Sequence, residues 1–404
     1  MHEGKAQTLL EWLVAAGLAG AGEAQLIAGF CDELVRLGTP LVRVVVASDL
    51  LHPILDARGF RWNRGKPVER SEFTRDTDSR GAEDWQRSPF FLMLQERLPT
   101  LRRRIAMDYR PGEFPIVDDL QEAGATDYFA IAIRIDRKAT LGELEGVISS
   151  WATDRPGGFD PGEVDLLTRV VPALAFAFNA VSSLGMTRTL LDTYLGEDAA
   201  ARVLGGNIMR GQAETIRAVI WYSDLANFTR IADEIARDQL LALLNDYAEC
   251  LVEEVGAQGG HVLKFIGDGI LAIFPDDDRR QACSRALDAA LAAEAGVTAL
   301  NQARSGRGLP VTDFHLSLHL GDLLYGNIGS RARLDFTVLG PAVNEAARIE
   351  ALCRSLDQRV IVSSAFAEAA GNRRAGLVSL GRYALRGVAR PQELFTIDRS
   401  AVMA

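Results

Sequence analysis

Cysteine is scarce in this chain: four in 404 residues, Cys31, Cys250, Cys283 and Cys353, with no CxxC spacing among them. That argues against a disulfide framework or a zinc site and leaves the thiols as small core residues. Histidine is almost as rare. Of five, only His315 and His319 stand at i and i+4, in the alternating segment HLSLH, where they would merely share one face of a strand. Long apolar runs are missing too. Glu11 interrupts the amino-terminal stretch MHEGKAQTLLEWLVAAGLAGAGEAQ, which reads as an amphipathic helix. The most apolar later segment, Val170 to Val181, has twelve residues where a membrane span needs about twenty. No membrane span and a cytoplasmic location are therefore expected. Positive charge is in deficit, 44 Lys and Arg against 54 Asp and Glu, and a net charge of -10 argues against a nonspecific binder of nucleic acid or anionic membrane.

What is present is an ordinary globular composition, 48% hydrophobic and 24% charged, on a chain long enough for two cores. Ala24 to Leu37 has helical spacing closed by Gly38, and Leu41 to Ala47 is a β-branched strand run. Glu69 to Arg87 is polar without a clear period and is expected to be a loop or flap, after which Ser88-Pro89 opens a capped helix. Phe129 to Ile135 and Leu144 to Trp151 suggest an antiparallel pair, followed by a turn rich in Pro and Gly, an acidic helix start at Asp160 to Glu163, and a long apolar helix. Trp62, Trp85, Phe90, Phe91 and Trp151 are candidates either for a ligand pocket or for ordinary core. Val181 to Gly206 is mostly helical and is read as a signal-carrying connection, a short coiled coil between two copies.

The chemistry concentrates further on. In GHVLKFIGDGILAIF, residues 260 to 274, two alternating arms flank Gly267-Asp268-Gly269, a hairpin in which Asp-Gly is expected to supply the positive φ angles of a tight turn. A carboxylate on a rigid hairpin tip, with Lys264 four residues before it, suits a metal and phosphate site. An earlier strand, Arg217 to Tyr222, runs into Ser223-Asp224 and then LANFT, placing a second acid beside the unpaired N–H groups of a helix start. Together the two acids could hold Mg2+ over a triphosphate. Leu240, Leu244, Tyr247, Leu251 and Val255 mark the apolar stripe of a helix, and the alternation of helices, strands and hairpins predicts a mixed sheet with helices packed on it.

YSDLANFT at 222 to 229, KFIGDGILAIF at 264 to 274, DFTVLGPAVNEAARIE at 335 to 350 and YALRGVARPQELFTI at 383 to 397 resemble, in order, the motifs of class III nucleotide cyclase catalytic domains. The resemblance implies an α+β chain: a ferredoxin-like cyclase domain over residues 215–398, a helical linker over 181–214, and, over 1–180, a sensory or regulatory domain. That first domain, read as α/β, resembles the GAF type through residues 144 to 178 and would receive an unidentified small-molecule or protein input.

The family's two metal-binding aspartates match Asp224 and Asp268. By the same resemblance Leu225 lends a backbone carbonyl to a metal, and Phe228 and Thr229 lend amides to the phosphates. Two divalent ions per site, Mg2+ or Mn2+, are implied. Lys264 and Thr337 fall where the purine is read; a lysine can donate to adenine N1, so the pair suits ATP. Thr337 departs from the aspartate of many adenylyl cyclases and resembles the bicarbonate-responsive subgroup. Asn344 and Arg348, i and i+4 on a helix, match the residues that orient the ribose and stabilise charge on the α phosphoryl group. Arg348 could instead be a solvated residue pairing with Glu345 or Glu350. Arg386 replaces a lysine that contacts the terminal phosphates.

The family completes each site from two subunits, so a head-to-tail homodimer is implied. The resulting expectation is an adenylate cyclase, a phosphorus–oxygen lyase forming 3′,5′-cyclic AMP. A guanylate cyclase and a silent nucleotide-binding regulatory dimer are the alternatives; a diguanylate cyclase lacks its GG[DE]EF signature here.

Overall fold

The computed structural model of the chain describes residues 2–49, 55–74, 79–135, 146–275, 277–388 and 390–398. The chain divides into two compact units, Met1–Leu190 and Leu191–Ala404.

In the first unit, helices α1 (His2–Leu18) and α2 (Glu23–Arg36) precede strands β1 (Leu41–Asp49), β2 (Leu55–Asn63) and β3 (Glu69–Thr74). Helices α3 (Ser79–Gln86) and α4 (Pro89–Gln95), strand β4 (Thr100–Arg103), helix α5 (Pro115–Glu122), strands β5 (Asp127–Arg134) and β6 (Gly146–Thr153) and the long helix α6 (Pro161–Leu195) follow. The sheet order is β3-β2-β1-β6-β5-β4 and every pairing is antiparallel. The α/β architecture expected here is thus a layered one without parallel strands. Both faces of the sheet are covered, as alternation along β5 shows: Phe129 and Ile131 join the core with Phe30, Leu167 and Phe178, while Tyr128 and Ala130 join Met93, Val117 and Ile148 on the other side.

Two expectations need correction. The polar segment Glu69 to Arg87 contains β3 and α3, although residues 75–78 lie outside the described ones. β3 is an edge strand held by charge rather than apolar alternation: Glu72 and Glu69 stand opposite Arg58 and Arg61 of β2 and pair with them at 3.4 and 3.6 Å. The second correction concerns length. Among the described residues α6, 35 residues long, is apolar and long enough to cross a membrane, whereas the sequence offered only a twelve-residue run. Its Leu166, Leu167, Val170, Val171, Leu174 and Phe178 are buried in the core of the first unit. Of the aromatic candidates, Trp62 and Trp151 belong to that same core, and Trp85 packs edge-on against Phe91. Leu144, the expected first residue of the second strand, lies outside the described residues.

The second unit opens with α7 (Glu197–Leu204) and β7 (Ala213–Leu225). Then come α8 (Phe228–Glu234), α9 (Arg237–Ala257), β8 (His261–Ile266), β9 (Gly269–Pro275), α10 (Arg279–Gly306), β10 (Phe314–Gly329), β11 (Leu334–Leu339) and α11 (Pro341–Glu350). β12 (Val360–Ser363), α12 (Ser364–Ala369), β13 (Leu377–Tyr383) and β14 (Gln392–Ile397) complete it. The sheet order is β13-β14-β12-β10-β7-β9-β8, with β11 paired to β10. Taken as β7-α9-β8-β9-α10-β10, the central elements form a β-α-β-β-α-β unit with the spatial order fourth, first, third, second strand, which is the ferredoxin-like arrangement.

Helices α9 and α10 share one core with Val219, Trp221, Phe274 and Leu318 of the sheet. The buried line of α9 runs through Leu243, Tyr247, Leu251 and Val255. Leu240 and Leu244 of the expected stripe are only partly buried, so the helix is rotated by about one residue, or about 100°, at its start. Alanines 282, 286, 289, 290 and 293 line the buried face of α10 and let it approach the sheet closely.

Candidate active site

β7 runs between β10 and β9; the β10 ladder reaches Asp224 near the end of β7, opposite His315, and the β9 ladder reaches its neighbour Ser223, opposite Ile270. The β8–β9 hairpin closes through the two residues Gly267 and Asp268, since Ile266 pairs with Gly269. Gly267, not Gly269, carries the positive φ, +66°. The turn is therefore Gly-Asp, with glycine at the first central position, rather than the expected Asp-Gly. Gly269 serves a different need: a Cβ there would lie 2.6 Å from the Ser223 carbonyl and 3.3 Å from Asp224 Oδ1. Only a glycine lets the hairpin approach the end of β7 this closely. The result brings the two acids together, and the Leu225 N–H donates to Asp268 Oδ2 at 3.2 Å.

Burial, the Asp268 carboxylate and, further off, Glu350 push the Asp224 carboxyl up to about 7. Burial and the charge of Asp268 raise Glu350 to about 7 as well. The half-buried Tyr222 hydroxyl is raised first by burial and then by all three acids. The site is thus a concentration of negative charge, and among the described residues no arginine or lysine forms an ion pair with Asp224 or Asp268.

Glu350 was not foreseen as part of this group; the sequence suggested it only as a partner for Arg348. Helix geometry could have revealed it. Residues two apart on a helix point about 200° apart, so Glu350 and Arg348 occupy opposite sides of α11. Arg348 lies against the turn after β13: a Cβ on Gly387, whose φ is +73°, would sit 3.5 Å from both of its terminal nitrogens. Arg386 is the next residue back and is exposed. Asn344, one turn before Arg348, is exposed too. Glu345 does not pair with Arg348; it accepts from Gln392 Nε2 at 2.7 Å and lies 3.7 Å from the buried His319 Nε2.

The purine candidates form a third group. Lys264 is ion-paired with Asp335, a residue that the sequence did not single out, and Thr337 is buried two residues further along β11. On the remaining side, Phe228 is half-buried and Thr229 exposed at the start of α8. They follow Asn227, which has a left-handed φ of +57° and whose side chain accepts from Arg354. The structure therefore gathers Asp224, Asp268 and Leu225 in one place, pairs Lys264 with Asp335 on the strand that carries Thr337 in a second, and sets Arg348 beside the Arg386 turn in a third.

An acid pushed up by burial and by its neighbours destabilises the fold where it is ionised. The native state keeps a proton on Asp224 up to about pH 7, whereas the unfolded chain releases it near 3.8, the ordinary aspartate value. Between those values the native state binds more protons, so stability of metal-free protein falls as pH rises. Asp268→Asn removes the neighbouring charge and flattens that fall. Thermal unfolding in chelator at pH 8 is expected to show the variant melting ~2–4 °C above the parent; a lower or equal melting temperature contradicts the repulsion.

Residues 212–398 match the family model of the adenylate and guanylate cyclase catalytic domain. Over 161 residues the chain is 33% identical to an adenylate cyclase of Anabaena cylindrica, covering 39% of this chain and 31% of that protein. Over 146 residues it is 32% identical to adenylate cyclase 1 of Rhizobium meliloti, covering 36% of this chain and 22% of that one. The chain thus spans less than a third of the length of either relative. Among solved structures, the adenylyl cyclase CyaB from P. aeruginosa aligns with 46% of this chain and 95% of its own at 22% identity, with a TM-score of 0.42.

Proposed function

We propose that this protein is an adenylate cyclase that converts ATP to 3′,5′-cyclic AMP and pyrophosphate at sites shared between two copies, under the control of its amino-terminal unit. The observation that carries the reading is the Asp224–Asp268 pair, two carboxylates brought together at the end of a central strand with no lysine or arginine among the described residues ion-paired to them. Such a pair fits divalent cations, which are hard and take oxygen ligands. Asp224, Asp268 and the Leu225 carbonyl would hold them, two per site, Mg2+ or Mn2+. When bound, these ions supply acidification of the ribose 3′-hydroxyl and neutralisation of the triphosphate.

The chain's own residues then divide the remaining work. Lys264 donates to the purine, with Thr337 beside it. Asn344 orients the ribose, and the planar guanidinium of Arg348 stabilises charge gathering on the α phosphoryl group. Arg386 and the Phe228 and Thr229 amides hold the outer phosphates. Because α11 turns Glu350 toward the acids and Arg348 to its opposite side, a homodimer that offers Arg348 of one copy to the acids of the other satisfies both faces. The layered amino-terminal unit, an antiparallel sheet covered on both faces, supports the reading of a GAF-like sensory domain whose input is a small molecule or a protein. Cytoplasmic location follows as part of the same proposal.

The test is an assay of purified protein with ATP or GTP and with Mg2+ or Mn2+, the product identified by mass. Cyclic AMP formed at least about tenfold more efficiently than cyclic GMP supports the assignment. Comparable turnover of GTP overturns the base preference, and no cyclic product with either nucleotide and either metal favours a silent binding module.

A further inference from the structure

We propose that Asp335 is a specificity-determining residue of the purine subsite, holding the Lys264 ammonium in place and supplying the carboxylate that Thr337 does not. The inference rests on the reading of Lys264 as the purine donor and adds a residue that reading lacks.

The pair is not an ordinary neighbour contact within a sheet. β8, which carries Lys264, stands at one end of the strand order, and β9, β7 and β10 separate it from β11, which carries Asp335. No ladder joins β8 to β11, yet the Lys264 ammonium donates to Asp335 Oδ2. The sheet must curl for the two strands to meet. What fills the curl is visible in the core: Leu263 of β8, Leu271 of β9, Tyr325 of β10 and Phe336 and Val338 of β11 form one buried cluster. Packing of that cluster brings Lys264 and Asp335 together from strands far apart in the ladder. An irregularity between Val262 and Lys264, where the register with β9 shifts, re-aims the lysine at this point.

Alternation along β11 places the rest. Phe336 and Val338 point into the cluster, so Asp335, Thr337 and Leu339 share the opposite face, with about 7 Å between successive members. Thr337 is buried at 6% exposure, while the Lys264 and Asp335 side chains are 29% and 57% exposed. The three groups form a step from floor to rim: a hydroxyl, an ammonium and a carboxylate.

A partly exposed ion pair stabilises a fold very little, so the consequence of this one lies in where it holds the ammonium. Lysine has three N–H donors and a flexible stem; spending one on Asp335 removes much of its freedom and leaves two for a ligand. The carboxylate keeps a second oxygen that can accept. Adenine presents an acceptor at N1 beside a donor at its 6-amino group, and a fixed lysine next to a carboxylate offers the complementary order of donor and acceptor. Guanine presents the reverse order, an acceptor at position 6 beside a donor at N1, and meets a lysine held for adenine in the wrong place.

The experiment compares full-length parent, Asp335→Asn, Asp335→Glu and Lys264→Ala for ATP and GTP kinetics, with thermal unfolding of each. Asp335→Asn is expected to raise KM for ATP about tenfold with kcat changed less than about threefold, and to lower the ratio of kcat/KM for ATP over GTP by about tenfold. Asp335→Glu is expected to restore most of that ratio. An unchanged ratio in Asp335→Asn, or an equal loss with both nucleotides accompanied by a lower melting temperature, overturns the proposal and leaves the pair a structural contact. The failure of the underlying reading looks different: Lys264→Ala then leaves the ratio untouched as well.

Discussion

Asp268→Ala is expected to lower the initial rate of cyclic AMP formation by about a thousandfold, the cost of removing a charged group aimed at the reacting phosphates. Asp268→Asn should be nearly as severe. Asparagine keeps the size of the side chain and an oxygen to accept the Leu225 N–H, so the hairpin retains its contact with β7. What it loses is the negative charge beside Asp224. The pair of variants thus separates charge from shape, and the melting experiment in chelator guards against misfolding, since the asparagine form is expected to be the more stable one. Retention of more than about a tenth of the parental rate in either variant means that Asp268 is not a ligand in the reaction.

The parts of this architecture set by local pattern could be read directly. The two arms of the 260–274 hairpin, the strand that ends at Asp224 and the helix that carries Asn344 and Arg348 all stand where alternation and turn residues put them. Inside the hairpin the assignment of glycines did not hold. Both Gly267 and Gly269 flank Asp268, and only the register Ile266 with Gly269 decides that the first takes the positive φ while the second makes room for Asp224.

Asp335 and Glu350 stayed hidden for a different reason. Each sits beside an anticipated residue in sequence, but its contact depends on tertiary geometry: the curl that brings β8 to β11, and the rotation of α11 that turns Glu350 toward Asp268. Edge strand β3 was missed because cross-strand ion pairs replaced the apolar alternation that marks a strand. For Asp335 and Glu350 the deciding partner is distant along the chain, and no window of neighbouring residues contains it.

The sharing of each site between two copies is the claim on which the catalytic account turns, and subunit mixing tests it most directly. Asp224→Ala and Arg348→Ala are purified separately, each expected to retain about one per cent of parental activity or less. Mixed in equal amounts and allowed to exchange, half of the dimers pair one variant with the other, and each of those contains one site with intact acids and intact arginine. Activity is then expected to recover to about a quarter of the parental value. Exchange demonstrated by mass or by a fluorescent label, with no recovery of cyclic AMP formation, would show that Asp224 and Arg348 act within a single copy and would contradict the shared site.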